Sequence, residues 1–151
     1  MRKQILKAAT MFVGIIALAF VSALAASAQS PRNIIVNVPF EFSVKGKTLP
    51  AGSYIINSAS TVDETGLSIM RRDGKANAVV LSRPVTTRKM QNETRLVFNR
   101  YGDRYFLSNI WISGSNGGRE LFKTNQERSL EMELARNNVK PETVTLIVRA
   151  Q

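Results

Sequence analysis

The chain of 151 residues contains no cysteine and no histidine. Without cysteine there is no disulfide, no thiolate metal ligand and no lipid-modified amino terminus of the bacterial lipoprotein kind. Lacking both residues also excludes Ser-His-Asp and Cys-His nucleophilic catalysis, the common zinc sites, and haem held by His or Cys. Carboxylate and lysine chemistry remain. A glycosidase needs two carboxyl groups flanking one bond, but acids are scarce at eleven, and Glu120, Glu127, Glu131 and Glu133 gather around one helical segment whose solvated face accounts for them. No S-x-x-K follows the leader, no glycine-rich phosphate loop precedes a helix, and no D-x-D-x-D-G calcium loop occurs. The expectation is a non-enzymatic protein without cofactor or metal.

What is present first is a leader. "MRKQILKAATMFVGIIALAFVSALAASAQS" opens with Arg2, Lys3 and Lys7, continues through an apolar run from Ala8 to Ala26, and reaches the triplet Ala26-Ser27-Ala28. That is the three-part pattern of a secretory signal peptide, residues 1–28, with cleavage after Ala28. An uncleaved membrane anchor is the competing reading of a run this long, but Thr10, Gly14 and Ser22 dilute it. Cleavage leaves one domain, 29–151, with no stable membrane span, exported to the periplasm or the extracellular space. A chain of this size buries enough surface to need no covalent staple.

The formal charge is +10, and losing the three leader cations leaves +7. Such a balance favours acidic partners, an acidic envelope surface among them. The cations are scattered singly or in pairs, as at Arg71-Arg72 and Arg88-Lys89, so they read first as solubility and no nucleic-acid partner is expected.

After the leader the apolar period is two. In "NIIVNVPFEFSV", Val36, Val38, Phe40, Phe42 and Val44 alternate with polar residues, and Pro39, lacking an N–H, marks an edge strand or a bulge. "KGKTLPAG" turns the chain and "SYIINSA" is the next strand. "LSIMRRDGKANAVVLS" reads as a hairpin turning at Asp73-Gly74 and ending at Arg83-Pro84. "VTTRKMQNE" is open between strand and loop. "TRLVFNRYGDRYFLSNIWIS" is a second hairpin, and "GSNGG" a flexible turn. "TNQERSLEMELARNN" is the exception. Thr124 and Glu127 stand in capping-box spacing, the glutamate expected to reach back to the cap, and Leu130 and Leu134 lie one turn apart before Asn137-Asn138. The final strand, "TVTLIVRA", has Ile147 on its second face and is expected inside a sheet or under the helix. The fold class is therefore mainly β, an antiparallel barrel-like or sandwich domain of about seven or eight strands with one short α-helix in the C-terminal half.

Two surfaces are candidates for function. If Gly102-Asp103 is a type II′ turn, Tyr101 faces Arg104 and Arg100 faces Tyr105, placing each arginine beside a tyrosine ring. With Asp103 and Trp111, these residues make the candidate interaction surface: Arg100, Tyr101, Asp103, Arg104, Tyr105 and Trp111, the arginine and aromatic content that interfaces favour. Hairpin stabilisation is the plainer reading of the same residues. The other candidate is a barrel interior lined by Val36, Phe40, Phe42, Leu96 and Phe98, which either fills the space or holds an apolar ligand.

The blocks "VPFEFSVKGKTLPAGSYII" and "RLVFNRYGDRYFLSNIWISGSNGGRELFKTNQERSL" resemble a family of small exported bacterial proteins in which V-P-F-x-F, L-P-A-G-x-Y, R-Y-G-D-x-Y-F-L and G-R-E-L recur in that order. The similarity covers Val36 to about Ala135. It implies an exported β domain and brings no catalytic residue, ligand or partner with it. The functional expectation is an interaction or structural module of the cell envelope, meeting an envelope protein or acidic envelope surface; the alternative is a small β-barrel binding an apolar ligand.

Overall fold

One long strand joins the two halves of the sheet. In the computed structural model, which describes residues 33–59 and 65–148, the order is β1 (Ile34–Val38), β2 (Phe42–Val44), β3 (Lys47–Leu49), β4 (Gly52–Ser58), β5 (Gly66–Arg71), β6 (Asn77–Thr86), β7 (Arg95–Tyr101), β8 (Arg104–Trp111), β9 (Gly117–Leu121), helix α1 (Asn125–Arg136) and β10 (Glu142–Ile147). The first half of β6, Asn77–Leu81, pairs with β5, and the second, Ser82–Thr86, pairs with β9. Strands that change sheet in this way turn the corners of a sandwich. One half is then β1-β4-β5-β6, and the other continues through β9 and β8, with β7 and β10 on one side of β8 and β2 and β3 on the other.

The architecture is mainly β and sandwich-like, and the sheet is not closed into a barrel. It has ten strands, and one pairing departs from the antiparallel expectation: β2 lies parallel to β8 over Phe42↔Tyr105 and Ser43↔Phe106. The stretch read as one strand from Asn33 to Val44 breaks at Pro39–Glu41, so that its first part edges one half and its second joins the other. Pro84 does not end β6; it sits opposite Arg119 in the half paired with β9. β10 pairs with β7 alone and Ile147 is 54% exposed, so the last strand is an edge strand rather than an internal one. The leader lies outside the described residues.

Alternation does what the sequence promises. Val36, Val38, Tyr54, Ile56, Ile69, Val80, Leu96, Phe98 and Ile110 point inward and are buried. Their burial supplies the main favourable term, at about 1.5–3 kcal/mol for each large side chain. Lys45 and Gly46, both at positive φ, make the tight β2–β3 turn. Thr124 caps α1 by accepting from the Glu127 amide at 3.2 Å, and Asn137 ends it. Among the described residues, no helix is long and apolar enough to cross a membrane.

Candidate functional site

The β7–β8 hairpin forms in the register its sequence dictates. Tyr101 pairs with Arg104, Arg100 with Tyr105, and Phe98 with Leu107. Gly102 has φ +60° while Asp103 has none of the positive φ that a I′ turn would require, so the turn is type II′. The Arg100 guanidinium lies 5.5 Å from the Tyr105 ring centroid, donates from Nε to the Gly102 carbonyl at 2.8 Å, and pairs with Glu142 at 3.2 Å. Tyr105 in turn stacks on Phe40 at 4.0 Å. Arg100 is thus held as part of the hairpin and its edge.

The six residues expected to form one surface do not. Tyr101 is buried, 4% exposed, because α1 lies over that face of β7 and the ring packs edge-on to Phe106. Its hydroxyl donates to Glu127 Oε1 at 3.3 Å. Trp111 is separated by six residues from Tyr105, roughly 20 Å along a strand, and faces the other way. A bulge causes this: Val97 pairs with Asn109 but Phe98 with Leu107, leaving Ser108 as the extra residue, and alternation flips beyond it. Trp111 instead packs against Gly118, its cross-strand partner, where an added Cβ would sit 2.5 Å from ring carbon Cε3 and 2.8 Å from the Ile110 carbonyl oxygen. Gly118→Ala should therefore cost about 1–3 kcal/mol and shift the emission of this single tryptophan. Urea unfolding followed by fluorescence checks both, and Trp111→Ala in the same chain should recover part of the loss.

Arg100, Asp103, Arg104 and Tyr105 remain together at the turn end. The parallel pairing of β2 with β8 carries Glu41, Phe42 and Ser43 alongside Asp103, Arg104 and Tyr105; Thr48 of β3 and Gln126 in the first turn of α1 complete a cleft of about 160 Å³. Sequence reasoning missed Glu41, Ser43, Thr48 and Gln126 because only a two-residue parallel contact brings them there. Glu41, Ser43, Thr48, Asp103, Arg104 and Gln126 make no side-chain hydrogen bond or ion pair among the described residues, whereas Arg83, Arg100 and Lys123 are each paired with a glutamate. The residues lining the cleft carry two carboxylates, one guanidinium, three hydroxyls and an amide.

The other polar cluster is internal. Glu127 is 4% exposed and accepts from Asn99 Nδ2 at 2.9 Å as well as from Tyr101. The capping box is therefore half formed: the threonine caps, but the glutamate turns onto the sheet. Burial, the Glu127 and Glu131 charges and the hydrogen bond to Glu127 push the Tyr101 phenol well above the usual tyrosine value. Burial also raises Tyr54, against a lowering by Arg71 and with a smaller rise from Asp73, and its hydroxyl donates to the Pro50 carbonyl at 2.6 Å. Below about pH 10 both phenols are protonated in the folded and unfolded chain and their contribution is whole. Above it the unfolded chain ionises first, so stability falls as pH rises further. An alkaline titration should show phenolate absorbance from Tyr54 and Tyr101 only with loss of the folded circular-dichroism signal.

No group of three or more acids gathers as a metal cage among the described residues. Compared with protein-family models, with curated proteins and with solved structures, the chain matches none.

Proposed function

We propose that this chain is an exported, non-enzymatic β domain of the cell envelope or extracellular space that works by contact, through the cleft at the β7–β8 turn. The observation that carries this reading is the set of unengaged polar side chains lining that cleft, of both charges, drawn from strands β2, β3 and β8, the residues flanking them and the first turn of α1. Glu127 and Ser82, the polar residues buried most deeply, find partners internally, while Arg95 Nε and Arg119 Nη2 are buried without one and lie outside the cleft. A lining that holds Arg104 together with Glu41 and Asp103 matches a protein segment of mixed charge better than a uniformly anionic polymer. The alternative, a barrel carrying an apolar ligand, has less support: the sheet is open, and Phe42, Leu96 and Phe98 fill the interior.

Two measurements test the proposal. The full chain, expressed with its leader, should yield an exported product with the mass of residues 29–151. A photo-crosslinking side chain at Asp103 should then give envelope-protein adducts that one at Lys89, exposed on the segment that bonds residues 115–116 beyond the other end of β8, does not, and Arg104→Glu should reduce their yield at least fivefold. Retention in the cytoplasm, or equal adducts from both positions, would overturn it.

A further inference from the structure

The outer face of the four-stranded half is unlike the rest of the surface. β1, β4, β5 and the first half of β6 turn Val36, Tyr54, Ile69 and Val80 inward, so the alternate residues face solvent. None of those outward positions within the strands holds an ionisable side chain, in a chain of which 21% is charged. They are asparagine, serine, glycine and five apolar residues. Ile35, Ile55 and Met70 make one row across three strands, and beside it on β6 stand Val79, 63% exposed, and Leu81, 58% exposed. The outward positions of the other half carry Arg83, Arg95, Arg104 and Glu120 instead. Strand propensity accounts for β-branched residues here, but not for the missing charge.

We propose that this face docks a second copy of the chain, sheet against sheet about a twofold axis. A twofold contact is self-complementary, each patch meeting its own equivalent. Two copies with a +7 excess repel one another over most of their surface, and that repulsion is least where neither meeting face is charged. An acidic partner would be drawn to the basic half instead. A bilayer surface would favour tryptophan or tyrosine at the contact, and this face has neither among its outward strand positions. Four strands of about five residues span only a few hundred Å² in projection, which places the contact at the small, reversible end of protein interfaces. None of the residues lining the cleft stands on this face, and the net charge is strongly positive with the leader, at +10, as well as without it, so the dimer and the proposed function are tested separately.

Sedimentation velocity on the purified protein, its mass recorded so that the presence or absence of the leader is known, tests this over about 1–300 μM, the range in which a weak interface shows. The weight-average mass should rise from monomer towards dimer. Raising salt from about 50 to 500 mM should tighten the dimer severalfold, because screening removes the repulsion between copies. Val79→Lys and Leu81→Lys, each at an exposed position and each checked for an unchanged melting temperature, should weaken it at least tenfold; Met132→Lys on the exposed face of α1 should not. A chain that stays monomeric throughout, a dimer indifferent to both strand variants, or one weakened by salt would overturn the proposal. So would co-sedimentation of a monomeric chain with phosphatidylglycerol vesicles that Val79→Lys abolishes, since the face would then meet lipid.

Discussion

Phe98→Ala should remove about 3–5 kcal/mol of stability, the usual cost of deleting a fully buried aromatic ring. Phe98 on β7 is 0% exposed and stands in a run of rings that ties the two halves together. It meets Phe40 edge-on at 5.2 Å and Phe42 at 5.5 Å; Phe42 meets Tyr54 of β4 at 5.2 Å, and Phe40 stacks on Tyr105. Removing the middle ring leaves a cavity that rigid strands on both sides cannot close. Against a total of about 5–15 kcal/mol for a domain of ordinary stability, the variant should be marginally folded at room temperature. Phe98→Leu, which keeps most of the volume, should lose distinctly less. Urea unfolding monitored by circular dichroism gives both values; equal losses for leucine and alanine would mean that volume at this site is not what matters.

Glu127→Ala should cost about 3 kcal/mol, more than any other change in the helix, through the groups it leaves behind. Hydrogen bonds to a charged acceptor contribute about 1.5–3 kcal/mol, and each buried donor left unpaired costs about 1–3 kcal/mol. Here two donors depend on one carboxylate: the Asn99 amide and the Tyr101 hydroxyl, beneath a helix whose leucines are only half-buried. Glu127→Gln keeps an acceptor oxygen and should lose about half as much. Tyr101→Phe removes one donor together with its need for a partner, and should cost about 1 kcal/mol. In a double-mutant cycle, Glu127→Ala with Tyr101→Phe should fall short of the sum of the single changes. Strict additivity would show that the two groups act separately.

Much of the fold was legible because it rests on local rules. The β7–β8 register follows from a glycine able to take φ +60° at the first turn position, and the helix bounds follow from Thr124 and Asn137. The candidate site was legible only in part. Arg100 does sit over Tyr105, but Tyr101 is covered by a helix that begins more than twenty residues later, and Trp111 is turned away by one extra residue in β8. No alternation pattern announces a bulge, because the bulged residue, Ser108, is compatible with either face. Pro84 misled for a related reason: a strand that exchanges partners midway offers a position where a missing N–H is tolerated.

By itself the sequence determined what acts within a few residues of its cause. Period-two burial, turn chemistry, the helix cap and the exclusion of histidine and cysteine chemistry are all properties of neighbours in the chain. The tertiary structure alone decided what distant segments do to one another. The parallel contact of β2 with β8 assembled the polar cleft, the packing of α1 onto β7 withdrew Tyr101 from the surface, and the bend of β6 from one half to the other left an uncharged face outward. The physical reason is that strand pairing and layer packing select among many partners that are locally equivalent, and the selection is made by the burial of the whole core.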